Sequence, residues 1–430
     1  MKVCIICHFS SKEIRDRLSL VRSGAKIKDF AVWNVELISA LSKRSDIELF
    51  VIAPHFRMRK LYQRFLLNNV NYFFWKADLP VINRSWPSWF NVDAFLNYFW
   101  QRKLVQRWIK KINPDIVNLI GAENPHYSAV VLGMKGYPLF VSIQGIYSNP
   151  LRFKSVKEIK WRSRIEKKVL ASAKYFGINA KFMPALISQW CNNPIFLWNR
   201  FPTKELSNDL IQKISNQEKK YDFVQFSGLT DLKGVPDTIY ATKIVKERYP
   251  NIKVRLFGRI SKAYLAKTRD LIDELGLNEN VIISNGYSSV SEMLIEASRA
   301  KFYILPTKID TIPCTIFEAL KIGLPIVSYK TGDIPLLNVG EERILLAESS
   351  DISGLVKNML RLLEDEKLGP SLVSKTAEFV DKYFSNNFNI NQFIDIYQSI
   401  INEFYYKVPL PNKILYEGFL ETRIRMEDKK

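Results

Sequence analysis

Cysteine, histidine and long apolar runs are all scarce in this chain. Four cysteines in 430 residues are too few for a disulfide framework. Two of them, Cys4 and Cys7, form a C-x-x-C, but inside MKVCIICHF. That stretch reads as a buried strand, where a spacing of three sends the two thiols to opposite faces; it favours a structural pair over a redox or metal site. The three histidines, His8, His55 and His126, show no metal-ligand spacing. No stretch reaches the ~18 apolar residues of a membrane span. The short apolar start runs straight into SSKE and does not read as a secretory signal. The expected location is the cytosol, or a membrane surface that the chain does not cross.

Acidic residues are scarce only in the first half. Residues 1–200 hold 32 Lys and Arg against 12 Asp and Glu, whereas residues 201–430 hold 31 against 31. The whole net charge of +20 therefore lies in the first half. Such a difference predicts two modules, one of which meets something anionic: nucleic acid, a membrane surface or an anionic acceptor. An apolar fraction of 47% excludes global disorder.

Short apolar runs alternate with helical patterns. In the first half, strands are expected at 2–7, at 48–53 (ELFVIA), and in PDIVNLIG and PLFVSIQG, with a helix around 30–41. The second half is more regular. Strands are expected at 222–227, 252–257, 281–284, 302–305 and 325–328, and helices at 235–248, 261–275, 289–299 and 314–322. This alternation means parallel sheets covered by helices. The expected organisation is an α/β domain over 1–201, a polar linker over 202–220 and a second α/β domain over 221–390. A helix and tail over 391–430 are expected to pack back on the first domain. Ligands of such sheets bind beyond the carboxyl ends of the strands.

The residues after those strands carry the chemistry. Strand 222–227 is followed by SGLTDLKGV, in which Gly228 allows a turn and Lys233-Gly234 precedes a helix. A lysine there suits a phosphate, although a solvated turn is the plainer reading. Gly258-Arg259 follows the next strand; then come Gly286 and Tyr287, an aromatic suited to a planar group, with Ser288 or Ser289 as a helix cap. After 302–305 the sequence reads PTKIDTIPCTIFEALKIG. Pro313 suits a helix start. Amides around Cys314 and Thr315 then favour an anion. Asp310 and Glu318 beside an anion site suit the hydroxyls of a ribose or sugar. The plainer alternative is that Asp310 caps the helix and Glu318 complements its dipole.

These pieces, in this order, resemble the C-terminal domain of retaining nucleotide-sugar glycosyltransferases of family 4 (glycosyl transferases group 1). The matching stretches are Gly228…Lys233-Gly234, Val281…Gly286, and Pro306-Thr307…Asp310-x7-Glu318-Ala319…Gly323-Leu-Pro325-Ile-Val327. The resemblance implies the GT-B fold, α/β with two Rossmann-like domains whose parallel sheets face across a cleft. It implies transfer of a sugar from a nucleotide-diphosphate donor, UDP- or GDP-linked, with retained configuration and no metal or other cofactor. The acceptor would be a glycan or lipid-linked molecule in the synthesis of bacterial capsule, O-antigen or lipopolysaccharide, at the inner face of the plasma membrane. Lys233 would neutralise the diphosphate, Asp310 would contact the donor sugar and Glu318 the ribose, while the backbone from Thr311 and Ile312 to Thr315 would meet the sugar and distal phosphate. Thr331-Gly332 would line the same pocket. On the acceptor side it implies Glu123, His126, Gln144 and Gly145. Three departures stand out: Leu229 in place of an Arg, Asp310 in place of a Glu, and Gln144 in place of a His. The missing Arg predicts that Arg259 or Lys308 supplies the second cation.

Residues 56–111 hold 11 Lys and Arg, two Asp and 15 aromatics. This mixture suits an anionic bilayer surface or single-stranded nucleic acid; an aromatic core with a solvated basic face remains the plain alternative. Nucleic acid is not expected as a partner. The rival functions are a GT-B protein that binds a nucleotide sugar or partner enzyme without turnover, a nucleic-acid-binding protein, and a sugar epimerase.

Overall fold

The computed structural model describes residues 1–21, 29–77, 96–148, 156–287 and 289–418. The chain forms two compact units, changing from one to the other after Lys204 and again after Ser385. The first unit is built on an eight-stranded sheet of order β3-β4-β2-β1-β5-β6-β7-β8. Its strands are β1 (Lys2–Ile6), β2 (Glu48–His55), β3 (Tyr62–Leu67), β4 (Val70–Lys76), β5 (Ile116–Ile120), β6 (Leu139–Ser142), β7 (Tyr175–Ile178) and β8 (Ile195–Trp198). All neighbours run parallel except β3 and β4. The second unit has a six-stranded parallel sheet, β11-β10-β9-β12-β13-β14. Its strands are β9 (Tyr221–Phe226), β10 (Val254–Gly258), β11 (Val281–Asn285), β12 (Ala300–Leu305), β13 (Ile326–Tyr329) and β14 (Leu345–Ala347).

Burial on both faces explains the continuous apolar strands. β1, β5 and β6 are buried along almost their whole length. Val3, Ile5 and Cys7 enter one core cluster, which does not include the equally buried Cys4. The thiols therefore do part, and burial pushes both far above the usual thiol range. Neither is available as a nucleophile.

The pair β3 and β4 was not expected from the sequence. Asn68 and Asn69 both have positive φ, 50° and 61°, and join the strands in a two-residue hairpin turn that favours asparagine. The aromatic run NYFFWK is thus mostly a strand, with Phe74 and Trp75 buried. The expected linker 202–220 also needs correction. Residues Asn208–Ser215 form a helix with Ser207 as N-cap, and the segment from Glu205 belongs to the second unit. That unit ends at Ser385 rather than at 390.

The helix Asn386–Tyr406 belongs to the first unit. It places Ile390, Phe393, Ile396, Tyr397 and Ile400 in the same core as β1 and β2. One buried polar chain fixes its register. The Ser142 hydroxyl donates to Asn118 Oδ1 (3.1 Å), and Asn118 Nδ2 donates to the Tyr397 hydroxyl (2.7 Å). All three residues are fully buried. Tyr397→Phe strands the Asn118 amide, so urea unfolding should show a loss of about 1–3 kcal/mol; unchanged stability would show that the bond contributes nothing.

Candidate functional site

β9 and β12 are parallel neighbours, so their exit loops leave the sheet side by side. The first loop ends in a turn, Asp231–Lys233, closed by the Thr230 side chain accepting from Lys233 N–H. Gly234 follows with φ +71°, and a Cβ there would stand 2.0 Å from the Pro306 carbonyl oxygen. A glycine is therefore what lets the two loops touch. Gly332, after β13, plays the same part beneath the second loop: at φ +56°, a Cβ would meet the Asp310 carbonyl oxygen at 2.1 Å.

Opposite charges join the loops. Lys233 Nζ lies 2.5 Å from Asp310 Oδ2, and the Thr307 hydroxyl donates to the same oxygen at 2.6 Å. The Lys233 carbonyl accepts from Gln225 Nε2 (2.8 Å), whose Oε1 accepts from Thr238 (2.7 Å). Lys308, one of the two residues expected to stand in for the missing arginine, is committed elsewhere. Its Nζ donates to Asp237 Oδ1 at 2.8 Å, and Tyr329 donates to Asp237 Oδ2 at 2.8 Å. Arg259 is exposed and has no ion-pair partner among the described residues. Leu229, where an arginine was expected, is a buried core residue.

The helix Cys314–Lys321 starts at Pro313 with no side-chain cap. Asp310 therefore does not cap it, and Glu318 lies on its second turn, past the reach of the strongest dipole effect. The Thr315 N–H has no acceptor among the described residues. Glu318 is half-buried, with no hydrogen-bond or ion-pair partner among the described residues. Burial pushes its carboxyl up to about 7, against the pull of Lys321. The phenol of Tyr303, fully buried in β12, is raised by burial and also by Glu318 and Asp310, so both carboxylates act on one point of the sheet end. An ammonium group, an open amide and a carboxyl without a donor together suit an anionic, hydroxyl-bearing ligand.

The remaining expected residues of this unit stand around these loops. Gly228 is exposed. Gly286 N–H donates to the Gly258 carbonyl at 2.8 Å. Tyr287 sets its ring edge-on to Phe257 at 5.2 Å and stays exposed. Ser289, not its neighbour, caps the next helix; Ser288 lies outside the described residues. Thr311 is half-buried, Ile312 and Pro313 are buried, and Cys314 is the exposed one of the four cysteines.

In the first unit, Glu123 and His126 follow β5, while Gln144 and Gly145 follow β6. Gln144 Nε2 is buried without a hydrogen-bond partner among the described residues. Just beyond, the buried Glu166 accepts from the Tyr147 and Ser148 amides at 2.7 and 2.8 Å, which fixes that loop. Sequence spacing gave no sign that His8 and His126 meet. Their Nδ1 and Nε2 atoms lie 3.3 Å apart, ringed by Phe30, Phe56 and Tyr127. His55 instead closes on the Phe56 carbonyl.

An uncharacterized glycosyltransferase of Methanocaldococcus jannaschii is 28% identical over 287 residues, covering 58% of this chain and 66% of that one. A putative colanic acid biosynthesis glycosyltransferase of Escherichia coli is 24% identical over 172 residues, covering 38% of this chain and 41% of the relative. The matches thus span less than two thirds of these relatives' own lengths. Among solved structures, sucrose-phosphate synthase from Thermosynechococcus elongatus superposes with a TM-score of 0.69 at 14% identity, over 93% of this chain and 98% of that one. The two units are the α/β halves of a GT-B fold, and residues 207–379, which hold every candidate site residue of the second unit, match the family described as glycosyl transferases group 1.

Proposed function

We propose that the protein moves a sugar from a nucleoside-diphosphate donor to a glycan or lipid-linked acceptor in the assembly of a bacterial surface polysaccharide, with retention at the anomeric carbon. The carrying observation is the cluster of Lys233, Asp310, the open Thr315 amide and the unpaired Glu318 at one end of the second sheet. Lys233 and the helix start take the diphosphate, and Arg259 supplies the second cation. Glu318 accepts from the ribose hydroxyls. Asp310, held on one oxygen, keeps the other for the donor sugar. The bond from C1 to the leaving phosphate oxygen breaks as the acceptor oxygen bonds to C1 on the same face. The acceptor proton passes to the departing phosphate, so no protein base is required. That suits Gln144 on the acceptor side. Positioning and fixed charge then supply the catalysis, without a metal. The colanic acid relative supports the polysaccharide setting.

The acceptor side of this reading includes a membrane surface. Among the described residues, none of the helices is long and apolar enough to cross a membrane. Residues 56–77 and 96–112 hold ten Lys and Arg and no Asp or Glu; residues 78–95 of the same basic stretch lie outside the described residues. The helix Phe99–Ile112 lies across β3 and β4 through Trp108, which meets Tyr62 and Phe73 at 6.1 and 5.5 Å. Leu66 and Trp100 remain 67% and 63% exposed on these elements. Cations with exposed apolar side chains between them fit an anionic bilayer.

Lys233→Ala should lower kcat by about 100- to 1,000-fold, equivalent to roughly 2.7–4 kcal/mol of transition-state stabilisation. Transfer assays with UDP- and GDP-sugars check this, and near-normal turnover would remove Lys233 from the mechanism. Glu318 gives a pH test. Its folded-state carboxyl holds a proton up to about 7 against an ordinary 4.5, so it withdraws stability as pH rises through that window. Glu318→Gln should therefore gain about 1–3 kcal/mol over the parent between pH 5 and 8 in urea unfolding. It should also lose the parent's tightening of UDP or GDP over the same range. A parallel pH response in parent and variant would mean that Glu318 does not titrate there. On the first unit, flotation with anionic vesicles should capture the protein and zwitterionic vesicles should not. Equal capture by both, or none, counts against the membrane face.

A further inference from the structure

The two loops of the donor site exchange charged partners. The segment from the turn after β9 into the helix Val235–Lys246 carries Lys233 and Asp237. The loop after β12 carries Lys308 and Asp310. Lys233 bonds to Asp310, and Lys308 bonds to Asp237. Each loop thus gives one ammonium group and one carboxylate, and the two bridges are crossed.

The bridges differ in exposure and in what else they hold. The Lys233 and Asp310 side chains are 26% and 18% exposed, at the ligand end of the sheet. The Asp237 side chain is 7% exposed. Both of its oxygens are taken, one by Lys308 and one by the Tyr329 hydroxyl, so it ties the helix, the β12 loop and the end of β13 together. The Lys308 backbone N–H is also bound, to the Leu232 carbonyl at 2.8 Å. An arriving diphosphate competes with Asp310 for Lys233. Once Lys233 turns to it, Lys308–Asp237 is the ion pair that still joins the loops.

We propose that Asp237 and Lys308 are positioning residues that keep the β12 loop, with Asp310 and Thr311, in place while Lys233 is given over to the donor diphosphate. This inference rests on the donor reading above. It assigns Lys308 to the loop and not to the phosphate. Its consequence is a folded protein whose donor affinity depends on the Lys308–Asp237 bridge although neither residue touches the donor.

Calorimetric titration of the full chain with UDP and GDP tests this, with ligand-free thermal unfolding measured alongside. Lys308→Met should weaken nucleotide binding about tenfold or more at a temperature where the ligand-free variant is fully folded, with a lowered ligand-free midpoint because the buried Asp237 loses its cation. Lys308→Arg, which keeps the bridge, should stay within about threefold of the parent. Asp237→Asn should weaken binding as Lys308→Met does; if it fails to fold, the half-exposed Lys308 variants alone decide. Lys308→Met binding as tightly as the parent overturns the inference while the donor reading stands. Lys308→Arg as weak as Lys308→Met also overturns it, since a retained cation facing Asp237 would then fail to restore binding; Asp237→Asn binding as tightly as the parent overturns it too, since Lys308 would then act on the phosphate directly. A parent chain that binds neither nucleotide overturns the donor reading itself, and this inference with it.

Discussion

Charge placed on neighbouring exit loops is the constraint that shapes the second unit. A parallel sheet delivers all its strand ends to one edge, and adjacency of β9 and β12 brings two irregular segments into contact there. Irregular segments have little sheet bonding of their own, so something must fix them. Here that is a pair of crossed ammonium–carboxylate contacts over two glycines without room for a side chain. The low dielectric behind the loop strengthens the inner bridge, and partial exposure leaves the outer one able to exchange partners.

The same edge holds groups in states that are unfavourable without a ligand. Glu318 sits in a half-buried position with no donor, and its raised carboxyl records that cost. The Thr315 amide is open at a helix start without a cap. Such features concentrate where a protein gives up stability for function. The core beneath shows the opposite habit. Arg255 in β10 meets Glu296 at 3.1 Å and also donates to the Leu256 and Ile282 carbonyls and to Ser284, so a buried cation there has nearly all its donors occupied.

Much of the second unit was legible in the sequence because its buried strands are short apolar runs punctuated by glycine and proline. The candidate site residues were picked out by their spacing and their resemblance to a family pattern. What escaped did so for identifiable reasons. β4 was hidden because its aromatic residues and flanking cations read equally well as a binding surface. The Asn68-Asn69 pair, which turns the hairpin, was the local signal that could have revealed it. The helix Asn208–Ser215 was hidden by polarity: it buries only Leu210. The crossed partner of Lys308 lies 71 residues away, and His8 lies 118 residues from His126. No local pattern reports contacts of that range, because they follow from strand order.

Strand order also separates the two units in time. Among the described residues the second unit is one uninterrupted length of chain, whereas the first needs both its opening residues and the helix Asn386–Tyr406. During synthesis, the early sheet must wait on the ribosome with Ile116 and Phe140 lacking the cover that Phe393 and Tyr397 later provide, while the later unit can already close. A chain ending at residue 385 would therefore hold a complete second half and an open first one, a natural target for chaperones.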